Sequence, residues 1–156
     1  HWTLDPQQGG GRIVGEACHF VDLLRFLSGS AIASVRCLSR DLDGQDGGCF
    51  ELSFANGDVA TLNYRTDLPA HLPKERIAVS GEGWSAEIDN WRKLYSRNLP
   101  GANMLSVWFG GITQGKGHPE ALSVFLAGAH HIAEIPIPLD ELEEVSRWSI
   151  RMQGMK

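Results

Sequence analysis

Residues 49–64 read CFELSFANGDVATLNY. Apolar side chains alternate along Cys49–Ala55 and along Asp58–Tyr64, with Asn56-Gly57 between them. That arrangement is the strongest short-range signal for an antiparallel hairpin. Two registers compete. A two-residue turn sets Leu52 opposite Thr61 and Phe50 opposite Asn63. A three-residue loop with Gly57 in the left-handed bulge position sets Leu52 opposite Ala60 and Phe50 opposite Leu62. The second brings apolar side chains together across the ladder and is the register expected.

Upstream of the hairpin, Ala31–Arg40 reads as a strand, followed by a polar loop over Asp41–Gly48. Before it, Val14, Ala17, Val21, Leu24 and Leu27 recur at helical spacing within Arg12–Ser28, and Gly29 suits the C-terminal cap. Downstream, Pro69 and Pro73 mark a loop. Glu75–Ser80 and Trp84–Asp89 then alternate around Gly81-Glu82-Gly83, a second hairpin. Residues 96–117 carry little periodicity apart from Met104–Phe109, read as one more strand. Pro119 fits the first position of a helix whose apolar face is Leu122, Phe125, Leu126, Ala129 and Ile132. After Pro136 and Pro138, Asp140 and Glu143 resemble a capping box for a last helix over Glu141–Met152, with Leu142, Val145 and Met152 as its stripe. A helix, five or six strands joined by hairpins, and two more helices give an α+β fold. Its mostly antiparallel open sheet has helices packed on one face and the other face available for dimerisation.

The 156 residues, with 42% hydrophobic and 21% charged side chains, match one ordinary domain with its own core. A net charge of −5 excludes the basic face that a nucleic-acid grip needs. No apolar run approaches the ~18 residues of a membrane helix. The three cysteines, Cys18, Cys37 and Cys49, include no C-x-x-C pair. They read as small apolar residues rather than a disulfide framework or a zinc set, and no metal site is expected. Residues 1–11 are polar and Gly-rich, unlike a signal peptide, so a cytoplasmic location is expected. The chain opens at His1 without an initiator Met and carries no dinucleotide fingerprint, which reads as a piece of a longer protein.

The first helix carries the polar stripe best suited to chemistry. Arg12, Glu16 and His19 stand at i, i+4 and i+7, flanked by Gly15 and Asp22. Histidine transfers protons near neutral pH, and a carboxylate one turn away can orient its ring. The run Gly9-Gly10-Gly11 before the helix gives a ligand access to free backbone N–H groups. The plainer alternative is a solvated face, or a ring packed beside Phe20 and Phe26. Lys116-Gly117-His118, before the second helix, is a basic pair at a helix N-terminus that suits an anion, or else a solvated loop. His130 and His131 are adjacent and diverge by about 100° on a helix, so they do not share a metal readily. His71 reads as loop. Trp84, Trp91, Tyr95 and Trp108 read as core or interface rather than as a sugar platform.

The run from Gly9 to Leu27, GGGRIVGEACHFVDLLRFL, closely resembles the segment opening the C-terminal domain of the Gfo/Idh/MocA family of NAD(P)-dependent oxidoreductases. Trp2, Asp5-Pro6, the hairpin ending at Tyr64, Glu75–Val79, Asp89–Arg92, Lys116–His118 and Pro136–Leu139 fit the same pattern. The resemblance covers nearly the whole chain and implies that residues 1–156 are a substrate-binding and oligomerisation domain. An N-terminal Rossmann domain, absent from this chain, would bind NAD or NADP. The implied activity is dehydrogenation of a sugar, nucleotide sugar, cyclitol or related polyol, in a homodimer or homotetramer built through the sheet. The family's usual motif here is Asp-x-x-x-His after three glycines. His19 falls on the His and is the implied acid/base. Gly15 falls on the Asp, and Glu16 is the nearest carboxylate. Arg12, Glu16, Gly15, Lys116 and His118 are the implied substrate contacts. The chain alone is expected to be inactive. The departure at Gly15 gives weight to an alternative, a non-catalytic binding or assembly domain of the same fold.

Overall fold

The computed structural model describes residues 8–40, 47–69, 71–100, 107–108 and 116–155. It contains helices α1 (Cys18–Ser28), α2 (His118–Ala129) and α3 (Leu139–Gly154). The strands are β1 (Ile32–Arg40), β2 (Gly48–Phe54), β3 (Val59–Tyr64), β4 (Arg76–Gly81), β5 (Trp84–Asp89), β6 (Lys93–Arg97) and β7 (Val107–Trp108). All strand pairs are antiparallel, so the α+β class expected from the hairpins is what forms. The strands make two sheets rather than one, in the orders β1-β2-β3 and β4-β5-β6-β7. The first sheet shares a compact unit with α1 and α3, built from the described residues up to Leu68 and from Pro136 onward. The second unit runs from Pro69 to Ile135.

In the first unit β2 is the central strand and alternates along its length. Phe50, Leu52 and Phe54 are buried; Cys49, Glu51 and Ser53 on the other face are half-buried. The hairpin takes the expected bulged register, with Leu52 opposite Ala60 and Phe50 opposite Leu62, and Gly57 sits at φ 93°. Ile13, Ala17 and Val21 from the first helical segment, Ile32, Leu62, and Val145 and Met152 of α3 complete the core. Each fully buried aliphatic or aromatic side chain of this kind contributes about 1.5–3 kcal/mol relative to exposure. Arg25 of α1 joins Glu141 and Glu144 of α3 at 3.3 and 3.2 Å, and the Glu144 carboxylate also accepts the N–H of Ile32. One half-buried carboxylate therefore fixes α1, α3 and the start of β1 together. The opposite face of the sheet is polar, with Arg36 bonded to Glu51 at 2.9 Å and Thr61 exposed beside them.

The expected helix over Arg12–Ser28 forms with one change. Ile13–Ala17 is a π-turn, in which the Cys18 N–H reaches back five residues to the Ile13 carbonyl, and α-helix begins at Cys18. Gly29 closes α1 at φ 62°, its N–H bonded to the carbonyls of Arg25 and Phe26. The capping box expected for the last helix is absent. Pro138 in extended backbone is the N-cap, without a side-chain bond, and Asp140 lies within the first turn, where its charge favours the helix dipole. Leu142 is exposed, and Ser149 takes the third inward position beside Val145 and Met152.

In the second unit β4 and β5 turn at Glu82-Gly83, with Gly83 at φ 77°. Strand β6 has no counterpart in the sequence reading. Its inward residues are Leu94, opposite Ile88, and Ser96, opposite Ala86, and one aliphatic side chain leaves no apolar alternation to read. Of the strand read over Met104–Phe109, Val107–Trp108 forms β7; the rest lies outside the described residues. Pro119 stands in the first turn of α2 as expected, but Leu122, Phe125 and Leu126 are exposed. Among the described residues no helix is long and apolar enough to cross a membrane.

Candidate functional site

The candidate site is assembled at the start of the first helical segment. Gly10 and Gly11 hold φ values of 71° and 92°, in the left-handed region that glycine enters without a steric penalty. The Gly11 carbonyl then accepts the Gly15 N–H at 2.9 Å. The Ile13 N–H donates to Oε1 of Gln153, from α3, at 3.0 Å. A Cβ on Gly11 would stand 2.6–2.7 Å from the Gln153 amide group. The glycine run therefore does not lead to an open anion cradle, as the sequence reading allows. It lets the side chain of Gln153 close over the helix start and take one of the free N–H groups. These residues do not fit the pyrophosphate of a dinucleotide.

The wide π-turn carries Glu16 toward the end of β3. There the Tyr64 hydroxyl donates to Glu16 Oε2 at 2.5 Å. The phenol is pushed up to about 12, first by burial, then by the hydrogen bond to Glu16 and the charge of that carboxylate, with Arg12 pulling the other way. It therefore remains a protonated donor across the physiological range. Arg12 lies at the same phenol, and its Nε is buried without a hydrogen-bond partner. Arg12, Glu16 and Tyr64 thus form one half-buried polar cluster.

His19 lies three residues beyond Glu16 on α1 and is exposed. It is not sealed beside Phe20 and Phe26, and no described residue hydrogen-bonds its imidazole. Next to it, burial pushes the Cys18 thiol up, with Asp22 adding to the shift, so Cys18 is a poor nucleophile near neutral pH. Lys116 and His118 belong to the second unit. Lys116 is bound to Glu75 at 2.6 Å, and the same carboxylate accepts the indole N–H of Trp91. His118 is exposed in the first turn of α2. Among the described residues no three His, Cys, Asp or Glu side chains gather as a metal set.

Sequence reasoning missed Tyr64 and Gln153. The hairpin register carries a signal for the first. Tyr64 follows Leu62 by two residues, and Leu62 is on the core face, so Tyr64 faces the helices as well. Gln153 gives no comparable signal, because its partner is 140 positions away.

Residues 1–87 match the family model described as the GFO/IDH/MocA C-terminal domain. No curated protein matches the chain. Among solved structures, the chain is similar to UDP-N-acetylglucosamine 3-dehydrogenase GnnA from Acidithiobacillus ferrooxidans, with a TM-score of 0.66 and 16% sequence identity. The similarity covers 90% of this chain and 47% of that one, so the chain spans about half the length of that enzyme. At this identity the likeness is one of fold.

Proposed function

The chain belongs to the GFO/IDH/MocA family, whose C-terminal domain model covers more than half of it, and from that membership we propose that it is the substrate-binding domain of a nicotinamide-dependent dehydrogenase. The substrate class is a sugar, nucleotide sugar, cyclitol or related polyol, in keeping with the similar fold of a UDP-N-acetylglucosamine 3-dehydrogenase. The nicotinamide, held by a separate N-terminal Rossmann domain, would supply the hydride acceptor. In this chain His19 takes the proton of the reacting hydroxyl, and the cluster beside it binds neighbouring hydroxyls through the Arg12 guanidinium and the Glu16 carboxylate. A separate proposal concerns the second unit by itself, where Lys116 and His118 are a basic pair that suits a substrate anion. Assembly as a homodimer or homotetramer through the sheet belongs to the same proposal.

One observation carries the reading. An exposed imidazole, bonded by no described residue, stands one helical turn from a half-buried arginine–carboxylate–phenol cluster, at the start of the helix that the family pattern marks. General acid–base catalysis by a positioned histidine contributes about 10²–10⁴-fold. His19→Ala, in the domain joined to its natural N-terminal partner, is therefore expected to lower kcat/KM by about that factor. An unchanged kcat/KM would sink the assignment. The second reading, a binding or assembly domain without chemistry, draws on Gly15 at the family's usual Asp position. A ring sealed in apolar packing would favour that reading and a carboxylate bonded to it would favour the enzyme; His19 is exposed, and no described carboxylate bonds it.

A further inference from the structure

Asp22 lies three residues after His19 and Glu16 three residues before it, a spacing at which helical side chains are neighbours, and Glu16 is the carboxylate beside the motif's Gly15. Glu16 does not serve the imidazole. Its Oε2 is held by Tyr64 at 2.5 Å, its Oε1 is bonded by no described residue, and the His19 ring is exposed. We propose that Tyr64 is a positioning residue that draws the Glu16 carboxylate to the end of β3, away from His19, and so leaves Oε1 open to a substrate hydroxyl. The hydroxyl-binding role rests on the acid/base reading of His19; the geometry that separates Glu16 from His19 does not.

The physical reasoning is a competition for one carboxylate. A phenol donating to an ionised carboxylate makes a short, charge-assisted bond, stronger than a neutral one. An exposed imidazolium offers a solvent-screened alternative of little strength. Removing the phenol hydroxyl removes the stronger partner and leaves Glu16 to be shared between the Arg12 guanidinium and His19. The other charged groups are Arg12 and Asp22 on the same helical segment. On α3, Glu141 and Glu144 are held by Arg25. Neither changes partner on loss of the hydroxyl.

The test is NMR titration of the His19 imidazole in this chain, its signal assigned by loss in His19→Ala. In Tyr64→Phe the released carboxylate favours the charged ring, so the His19 pKa is expected to rise by about 0.5 unit or more. In Tyr64→Phe/Glu16→Gln it is expected to return to the parent value or just below it. A merely structural role for Tyr64 would leave the titration of an exposed ring in place, and an unmoved His19 in folded Tyr64→Phe overturns the proposal. Glu16→Gln alone keeps the test decisive should Tyr64→Phe not fold. It is expected to lower the His19 pKa by less than Tyr64→Phe raises it, since in the parent the carboxylate acts on the ring only across a helical turn and not through a bond. A fall as large as that rise means that Glu16 already serves His19, and the proposal fails. A silent His19→Ala in the intact enzyme would remove the catalytic reading while leaving the titration result standing.

Discussion

At the scale of single residues, two glycines and one amide decide how the site is built. Gly11 needs its residue type twice over, for φ 92° and for the Gln153 amide that occupies the space of a Cβ. That amide is the far end of a flexible side chain, so it can swing aside, but only by giving up the Ile13 N–H. Gly11→Ala is therefore expected to cost about 1–2 kcal/mol for the left-handed backbone and about 1 kcal/mol more for the lost hydrogen bond. In a Gln153→Ala background the second part is already gone, and Gly11→Ala should cost only the first. Urea unfolding of the four proteins of this cycle measures the difference, and strict additivity would show that the amide and the glycine do not interact. Gln153 was not legible in sequence as a partner of the first helical segment, and Tyr64 was legible only through its place on the core face of β3. The candidates His19, Arg12 and Glu16 were readable together because they share one short helical segment. Tyr64 and Gln153 reach that segment from β3 and α3, 48 and 140 positions distant, and no local spacing encodes such meetings.

At the scale of elements, burial follows the strand pattern more faithfully than the helix pattern. Strand β2 alternates without a break, and Leu52 at its centre is fully buried. On α3, Leu142 belongs to the expected apolar stripe yet is 45% exposed. Leu52→Ala is expected to cost about 2–5 kcal/mol, the usual range for emptying a core leucine site. Leu142→Ala should stay within about 0.5 kcal/mol, as surface changes do. Thermal melts of both variants check the contrast, and comparable losses would place Leu142 in a packed interior. The hairpin register was legible because Asn56-Gly57 admits few loop geometries and only one of them pairs Phe50 with Leu62. The ends of α1 and α2 were legible because Gly29 and Pro119 have backbone requirements that few positions satisfy. The π-turn was not, since Ile13 and Ala17, four apart and both buried, fit an α-helical stripe as well. Strand β6 was not, because its most buried inward position holds Ser96.

At the scale of the whole molecule, the question is which of the proposed enzyme's tasks this chain can perform by itself. Family membership brings a nicotinamide dinucleotide into the proposal, and a dinucleotide is held chiefly by backbone N–H groups at a glycine-rich strand-to-helix turn. The chain has a glycine run before a helix, but the Ile13 N–H there is taken by Gln153, and the space beside Gly11 is filled by the same amide. The residues that follow are Arg12 and a π-turn carrying Glu16, and both side chains are gathered against Tyr64. A net charge of −5 adds no general attraction for a diphosphate. Binding of NAD(H) to this chain is therefore expected to be weaker than about 1 mM, a free energy smaller in magnitude than about 4 kcal/mol. Calorimetric titration of the chain with NADH should give heats of dilution alone. The control is Gln153→Ala, which uncovers the Ile13 N–H. If that variant also gives no binding heat, the cradle is lacking in shape as well as in access. Micromolar binding to the parent chain would mean that this domain carries a dinucleotide site of its own, and the division of labour between two domains would have to be abandoned.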